Sequence, residues 1–139
     1  MARSSEQFTI GQLSQATGCK VPTIRYFEQI GLLPAPGRSA GNRRMFDASH
    51  RLRLDFIQHC RELGFSQKAI RGLLDLTDHP DRSCAAATDI ARSHLDDIDR
   101  RIKRMMALKG ELERMINDCD GGRVEKCRVI ETLADHSHT

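Results

Sequence analysis

The sequence predicts a mostly all-α protein, and three observations predict it. Short segments with apolar residues three and four apart open on capping residues and close on glycine. One segment of more than about thirty residues keeps that spacing along its length. Tryptophan is absent, aromatics are 4% and charged residues 29% of the 139 residues. That balance suits a helical chain with a small core that relies on a partner for further burial.

Thr9 followed three residues later by Gln12 is a capping-box pattern. It predicts a helix from Ile10 to about Thr17, with Ile10, Leu13 and Ala16 as its buried stripe. Gly18 ends it, because glycine tolerates positive φ. Pro22 fits the first turn of a second helix, through Thr23, Ile24, Arg25, Tyr26, Phe27 and Glu28 to Gly31. Two short helices across a Gly-containing turn form a helix-turn-helix, whose second helix would enter the DNA major groove. The next stretch, LLPAPGRSAGNRRMF, is too rich in Pro and Gly for a helix and reads as an extended loop or two-stranded wing.

From Ala48 the helical period returns, with Leu52, Leu54, Phe56, Ile57 and Cys60 as apolar positions and Gly64 as the stop. Ser66 caps a further helix containing Ile70, Leu73, Leu74 and Leu76. Asp78, Pro80 and Asp81 then break the chain. A long helix is expected from about Cys84 to Asn117. Leu95, Ile98, Ile102, Met105, Leu112 and Ile116 form a coiled-coil seam, with Lys109 its one polar position. Length and charged flanks favour a partner helix over packing against the chain's own domain. Gly121 and Gly122 end it in a loop, Val129, Ile130 and Leu133 suggest a last short helix, and a His136-Ser137-His138 tail follows. The expected domains are therefore a winged helix-turn-helix DNA-binding domain over 1–80, an antiparallel coiled-coil dimerisation helix over 81–118, and a metal-binding loop and C-terminal tail over 119–139.

The net charge of +3 is unevenly spread. Arg38, Arg43, Arg44, Arg51 and Arg53 face only Asp47 between positions 38 and 53; charge alone favours a solvated basic face, while the helix-turn-helix beside it suggests phosphate contacts. The N-terminal MARSSEQFTIGQ lacks the apolar run of a signal peptide, and no apolar stretch approaches transmembrane length. Five cysteines, odd in number and sparse, are better explained by a reducing cytoplasm with free or metal-bound thiols than by a disulfide framework.

Three of those cysteines bracket the long helix: Cys84 at its start, Cys119 and Cys127 just past its end. About 35 residues at 1.5 Å each separate Cys84 from Cys119 by roughly 50 Å along a straight helix. Two chains paired antiparallel would set Cys84 of one beside Cys119 and Cys127 of the other. Thiolates are soft ligands that favour Zn(II), Cd(II), Hg(II), Pb(II) or Cu(I) over Mg or Ca. The two loop cysteines alone suit linear Cu(I); a third thiolate suits divalent ions in trigonal or tetrahedral sites. Asp120, His136 or His138 could complete a tetrahedral set, whereas three cysteines alone suit lead or mercury. Cys19 and Cys60 read as small buried hydrophobes. His94 reads as a surface or seam residue.

The segment TIRYFEQIGLLP (Thr23–Pro34), the Arg-rich GNRRMF wing and the long helix resemble the MerR family of bacterial transcription regulators across nearly the whole chain. Two departures stand out. Phe27 replaces the second tyrosine of the family's RYYE motif, and Arg43 and Phe46 replace the tyrosines of its GNYRxY wing. The resemblance implies a homodimer on double-stranded promoter DNA. It further implies that the dimer distorts the promoter on effector binding, so that RNA polymerase can use recognition elements spaced too far apart. By motif position Arg25, Tyr26 and Arg44 would contact DNA; Lys20, Thr23, Arg38 and Arg43 join them from charge and position. For Arg25 the plain alternative is a helix-surface salt bridge to Glu28. Copper-type sensors of the family have serine where this chain has Cys84, so the ion expected here is divalent: zinc, cadmium or lead, with mercury the competing assignment.

Other classes predict other things. A thiol enzyme would need a base beside its cysteine in a pocket, and only the histidine tail lies near Cys119 and Cys127. A metal-buffering protein would show no sequence-specific DNA binding. A redox-cluster sensor would need four grouped cysteines, and a drug-responsive relative a larger C-terminal domain.

Overall fold

The computed structural model describes residues 6–119 and 121–135. They divide into two compact units, one ending at Ile90 and one beginning at Ala91.

The first unit opens with strand β1 (Gln7–Phe8) and helix α1 (Ile10–Thr17). The helix starts where the sequence predicts, because the Thr9 hydroxyl accepts the Gln12 N–H at 3.2 Å and the Gln12 carbonyl oxygen accepts the Thr9 N–H at 2.9 Å. Gly18 closes it at φ 77°, its N–H donating to the Ser14 carbonyl. Helix α2 (Val21–Gln29) follows with Pro22 in its first turn. The wing is a hairpin of β2 (Gly37–Arg38) and β3 (Arg44–Asp47), turned through Asn42 at φ 63°. β1 pairs antiparallel with the other side of β3, setting Phe8 opposite Phe46, so the sheet order is β1-β3-β2. The sequence reading has no counterpart to β1. Two residues are too few for a period, and this pairing spans some forty residues of chain.

Helix α3 (Ala48–Glu62) and helix α4 (Gln67–Thr77) complete the first unit's core, the second capped by Ser66, whose hydroxyl accepts the Ala69 N–H at 3.1 Å. Leu13, Ile24, Phe27, Leu32, Leu33, Phe46, Leu54, Ile57, Ile70 and Leu74 form one buried cluster. Each fully buried side chain of this kind contributes about 1.5–3 kcal/mol. Cys19 and Cys60 are buried with them, and burial raises both thiol pKa values, as expected of small apolar residues.

One expected apolar position is corrected. Leu52 is 71% exposed, and the stripe that α3 buries is His50, Leu54, Ile57 and Cys60. A histidine can take a core position because both its ring nitrogens have partners. Nε2 lies 3.1 Å from the Pro34 carbonyl and Nδ1 lies 3.1 Å from the Asp47 N–H. Asp47 in turn caps α3, its carboxylate accepting from the Ser49 and His50 N–H groups. The Ser49 hydroxyl, together with the His50 N–H and ring, overcomes partial burial and holds the Asp47 carboxyl at about 2, below its ordinary 3.8. A carboxyl depressed on folding stabilises above its unfolded pKa and loses that contribution as pH falls through the folded one. Stability of this unit is therefore expected to decline between about pH 4 and about pH 2. Asp47→Asn should flatten that decline in urea melts stepped through this window, since asparagine still caps but does not titrate.

Helix α5 (Ala85–Asp118) begins in the first unit and is the spine of the second. Leu95, Ile102, Met105, Leu112 and Ile116 lie exposed along it, while Met115 is buried and shares a 360 Å³ cavity with Leu112 and Leu133. A short 3₁₀ turn (Val124–Lys126) leads to α6 (Arg128–Ala134). No helix among the described residues is long and apolar enough to cross a membrane.

Candidate functional site

Two sites emerge, one basic and one of sulfur. The basic site is a 340 Å³ cleft bordered by the start of α1, helix α2 and the wing, and Arg25, Arg38, Arg43 and Arg44 all line it. These come from two separate segments: Arg25 from the exposed face of α2, the other three from the hairpin. The strand register sets Arg38 directly opposite Arg44. Glu28 is the carboxylate that reaches this group, pairing with Arg44 through both of its oxygens. Arg25 and Arg43 form no side-chain hydrogen bond or ion pair among the described residues. The anticipated alternative for Arg25, a bridge to Glu28, is thus taken by Arg44, sixteen residues away in sequence. Four guanidiniums on one cleft against one carboxylate leave an uncompensated positive charge that favours an anion such as a phosphate.

The other anticipated contacts are placed differently. Lys20 is exposed at the start of α2 and Thr23 is half-buried on it. Tyr26 is exposed, but it faces α4: its hydroxyl lies 3.4 Å from Gln67 Oε1, and it lines a separate cavity with Phe65 and Arg61. Phe27 and Phe46, which replace family tyrosines, are both buried in the core. Their rings serve packing, so the groups available to phosphate in this cleft are guanidiniums.

Arg53, counted with the arginines expected to meet phosphate, is engaged within the fold instead. The Arg53 Nε–H donates to the Leu32 carbonyl at 2.9 Å and its Nη1 meets Asp78 Oδ1 at 3.1 Å, tying the segment after α2 to the segment before Cys84.

The sulfur site begins at the end of α5. The Cys119 N–H donates to the Ile116 carbonyl, Gly121 turns the chain at φ 76°, and the Cys127 N–H donates to Val124 as α6 starts. This closes the loop so that Cys119 Sγ and Cys127 Sγ stand 3.7 Å apart. Two thiolates on a tetrahedral zinc at about 2.3 Å would stand about 3.8 Å apart, so the pair fits such an ion without chain movement. A linear ion at the same bond length needs about 4.6 Å. Cys84 lies at the opposite end of α5, exposed, its carbonyl accepting the Thr88 N–H at 3.0 Å to open the helix. It lines a 290 Å³ cavity with Phe56, Leu73, Leu76 and His79. Among the described residues no group of three His, Cys, Asp or Glu side chains gathers within one chain. Asp120, His136 and His138, the other anticipated donors, lie outside the described residues.

A helix-turn-helix with a basic wing, followed by a long helix and a terminal dithiol loop, defines a class of DNA-binding regulator rather than an enzyme. A family described as MerR HTH family regulatory protein matches residues 8–77, and one described as MerR, DNA binding, matches 51–115. The chain belongs to the MerR family of transcription regulators. It is 38% identical over 126 residues to the HTH-type transcriptional regulator HmrR of Rhizobium leguminosarum bv. viciae, covering 91% of this chain and 97% of that one. The transcription regulator PbrR691 of Ralstonia metallidurans, solved in complex with lead(II), superposes with a TM-score of 0.82 at 35% identity, over 91% and 99% of the two chains. The regulator MerR of Bacillus megaterium, solved with mercury(II), superposes with a TM-score of 0.73 at 29% identity, over 92% and 100%.

Proposed function

We propose that this protein is a cytoplasmic, metal-responsive transcription activator that senses a divalent soft metal ion through a three-cysteine site shared between the subunits of a homodimer. The 3.7 Å approach of Cys119 and Cys127, with no third donor of the same chain beside them among the described residues, is the observation that carries it. Cys84 of the partner subunit supplies the missing thiolate if two α5 helices pair antiparallel through Leu95, Ile102, Met105, Leu112 and Ile116, an apolar seam that a single chain leaves in water. Relatives crystallised with lead and with mercury support a metal as effector. The ion is zinc, cadmium, lead or mercury; a mercury-specific sensor is the second reading, favoured by the bare three-thiolate set.

On this reading residues 1–80 bind promoter DNA, 81–118 dimerise and 119–139 hold the metal. Arg25, Arg38, Arg43 and Arg44 contact the duplex from the cleft, with Lys20, Thr23 and Tyr26 around them. Metal binding alters the dimer and, through it, the promoter presented to RNA polymerase. Titrating purified protein with each ion, following ultraviolet thiolate charge-transfer bands while counting ions per dimer, tests the site. A band of three thiolates per ion is expected; one of two per ion, from monomers, would overturn it. A metal buffer would give no gel shift on the chain's own upstream promoter. Arg25→Ala should weaken operator binding by about 1–3 kcal/mol if it reads a base, or lower the salt slope by about one if it meets a phosphate. Metal affinity should not change, and unaltered operator affinity would remove Arg25 from the interface.

A further inference from the structure

The cavity beside Cys84 holds a second group suited to a soft metal. Its polar lining consists of Thr77, His79, Arg82, Ser83 and Cys84. Three of these are engaged elsewhere. The Thr77 hydroxyl donates to the Leu74 carbonyl at 2.7 Å, Ser83 Oγ accepts the Ala85 N–H at 3.1 Å, and the Arg82 guanidinium pairs with Asp75 at 3.3 Å. His79 differs. Its Nδ1 lies 2.8 Å from the Asp75 backbone carbonyl, which can only accept, so Nδ1 bears the proton. In the neutral ring Nε2 is then the nitrogen with the free lone pair, and no hydrogen bond to it forms among the described residues. A hydrogen bond from one ring nitrogen to a carbonyl is how ligating histidines are oriented and their tautomer set. The backbone fixes the residue as well: the His79 N–H donates to Leu76 at 3.0 Å and its carbonyl accepts from Arg82 at 3.0 Å.

We infer that His79 is a fourth ligand at the Cys84 site, its Nε2 converting three thiolates into a tetrahedral S₃N set that favours zinc and cadmium over lead and mercury. The inference rests on the reading above that Cys84 is a ligand shared between subunits. Zinc is almost always four-coordinate in sites built entirely from protein ligands, and imidazole is among its common donors. Three thiolates already satisfy trigonal lead or mercury, so those ions gain little from the nitrogen. The Asp75 carboxylate lies 3.9 Å from Nδ1 and is bound to Arg82.

The test is direct binding to the full-length dimer, wild type against His79→Ala, by competition titration with zinc, cadmium and lead, together with X-ray absorption at the zinc edge. His79→Ala should lose at least roughly 10–100-fold in zinc and cadmium affinity, since even an outer partner of a ligand is worth that much. Lead affinity and the lead–thiolate band should stay within about twofold, and the nitrogen scatterer should vanish from the zinc spectrum. His79→Cys, which restores a soft donor, should recover cadmium binding. Unchanged zinc affinity with nitrogen still in the shell would overturn the inference, as would an equal loss for all three ions. Cys84→Ser in the same titrations separates the two levels. If it weakens every ion while His79→Ala weakens none, the shared cysteine site stands and His79 is not in it; if Cys84→Ser changes nothing, the shared site itself is wrong.

Discussion

Cys84→Ser is expected to lower affinity for every divalent ion by more than roughly 100-fold, beyond the loss attached to an outer partner of a ligand, and to abolish induction. A hydroxyl is a harder, weaker ligand for soft ions than a thiolate, and only two of the three thiolates remain. Operator binding should be nearly untouched. Cys84 is exposed and contributes to the fold mainly through its carbonyl, which accepts the Thr88 N–H and is the same in serine. Serine is also a good residue at the start of a helix, so α5 should begin as before. The experiment pairs a reporter response to zinc, cadmium, lead and mercury with a gel shift of the metal-free protein. A full response to all four ions would mean that the shared site does not exist.

Phe27→Ala should have the largest effect on stability, about 3–5 kcal/mol. Phe27 is 1% exposed at the centre of the first unit, and the Arg61 guanidinium lies 5.2 Å from its ring centroid. Removing the ring leaves a cavity that short helices anchored by caps and turns cannot easily collapse. Against a typical total of about 5–15 kcal/mol the loss is severe. In a unit of this size the melting temperature should drop on the order of 15 °C or more. Because Phe27 also seats α2, the exposed Arg25 two residues earlier loses its platform, and operator binding should fail at temperatures where wild type binds. Thermal melts by circular dichroism check the first part; a loss below about 1 kcal/mol would mean the core can repack without it.

What the sequence discloses about this fold is mostly local. Thr9 with Gln12, Gly18 after α1, Ser66 before α4 and Gly64 after α3 act over three or four residues, and each marks an end the structure keeps. The three-and-four spacing from Leu95 to Ile116 likewise locates α5. Pairings across longer stretches leave no such mark. β1 exists only by pairing with β3, and Glu28 meets Arg44 only once the wing folds back on α2. The face α3 buries was ambiguous because apolar residues occupy two sides of it. Tertiary hydrogen bonds to Asp47 and Pro34 settle the choice by admitting His50 and leaving Leu52 outside.

The candidate sites divide the same way. Residue types and spacing alone determined that this chain has a helix-turn-helix, an arginine-rich wing and cysteines flanking a long helix, since those properties are written in neighbours a few positions apart. Only the tertiary structure decided which arginines share a cleft, that Tyr26 turns toward α4, that two sulfurs close to 3.7 Å, and that His79 and Cys84 line one cavity, with one His79 nitrogen engaged. Side-chain direction depends on how separate elements pack, and that information is spread over residues far apart in the chain.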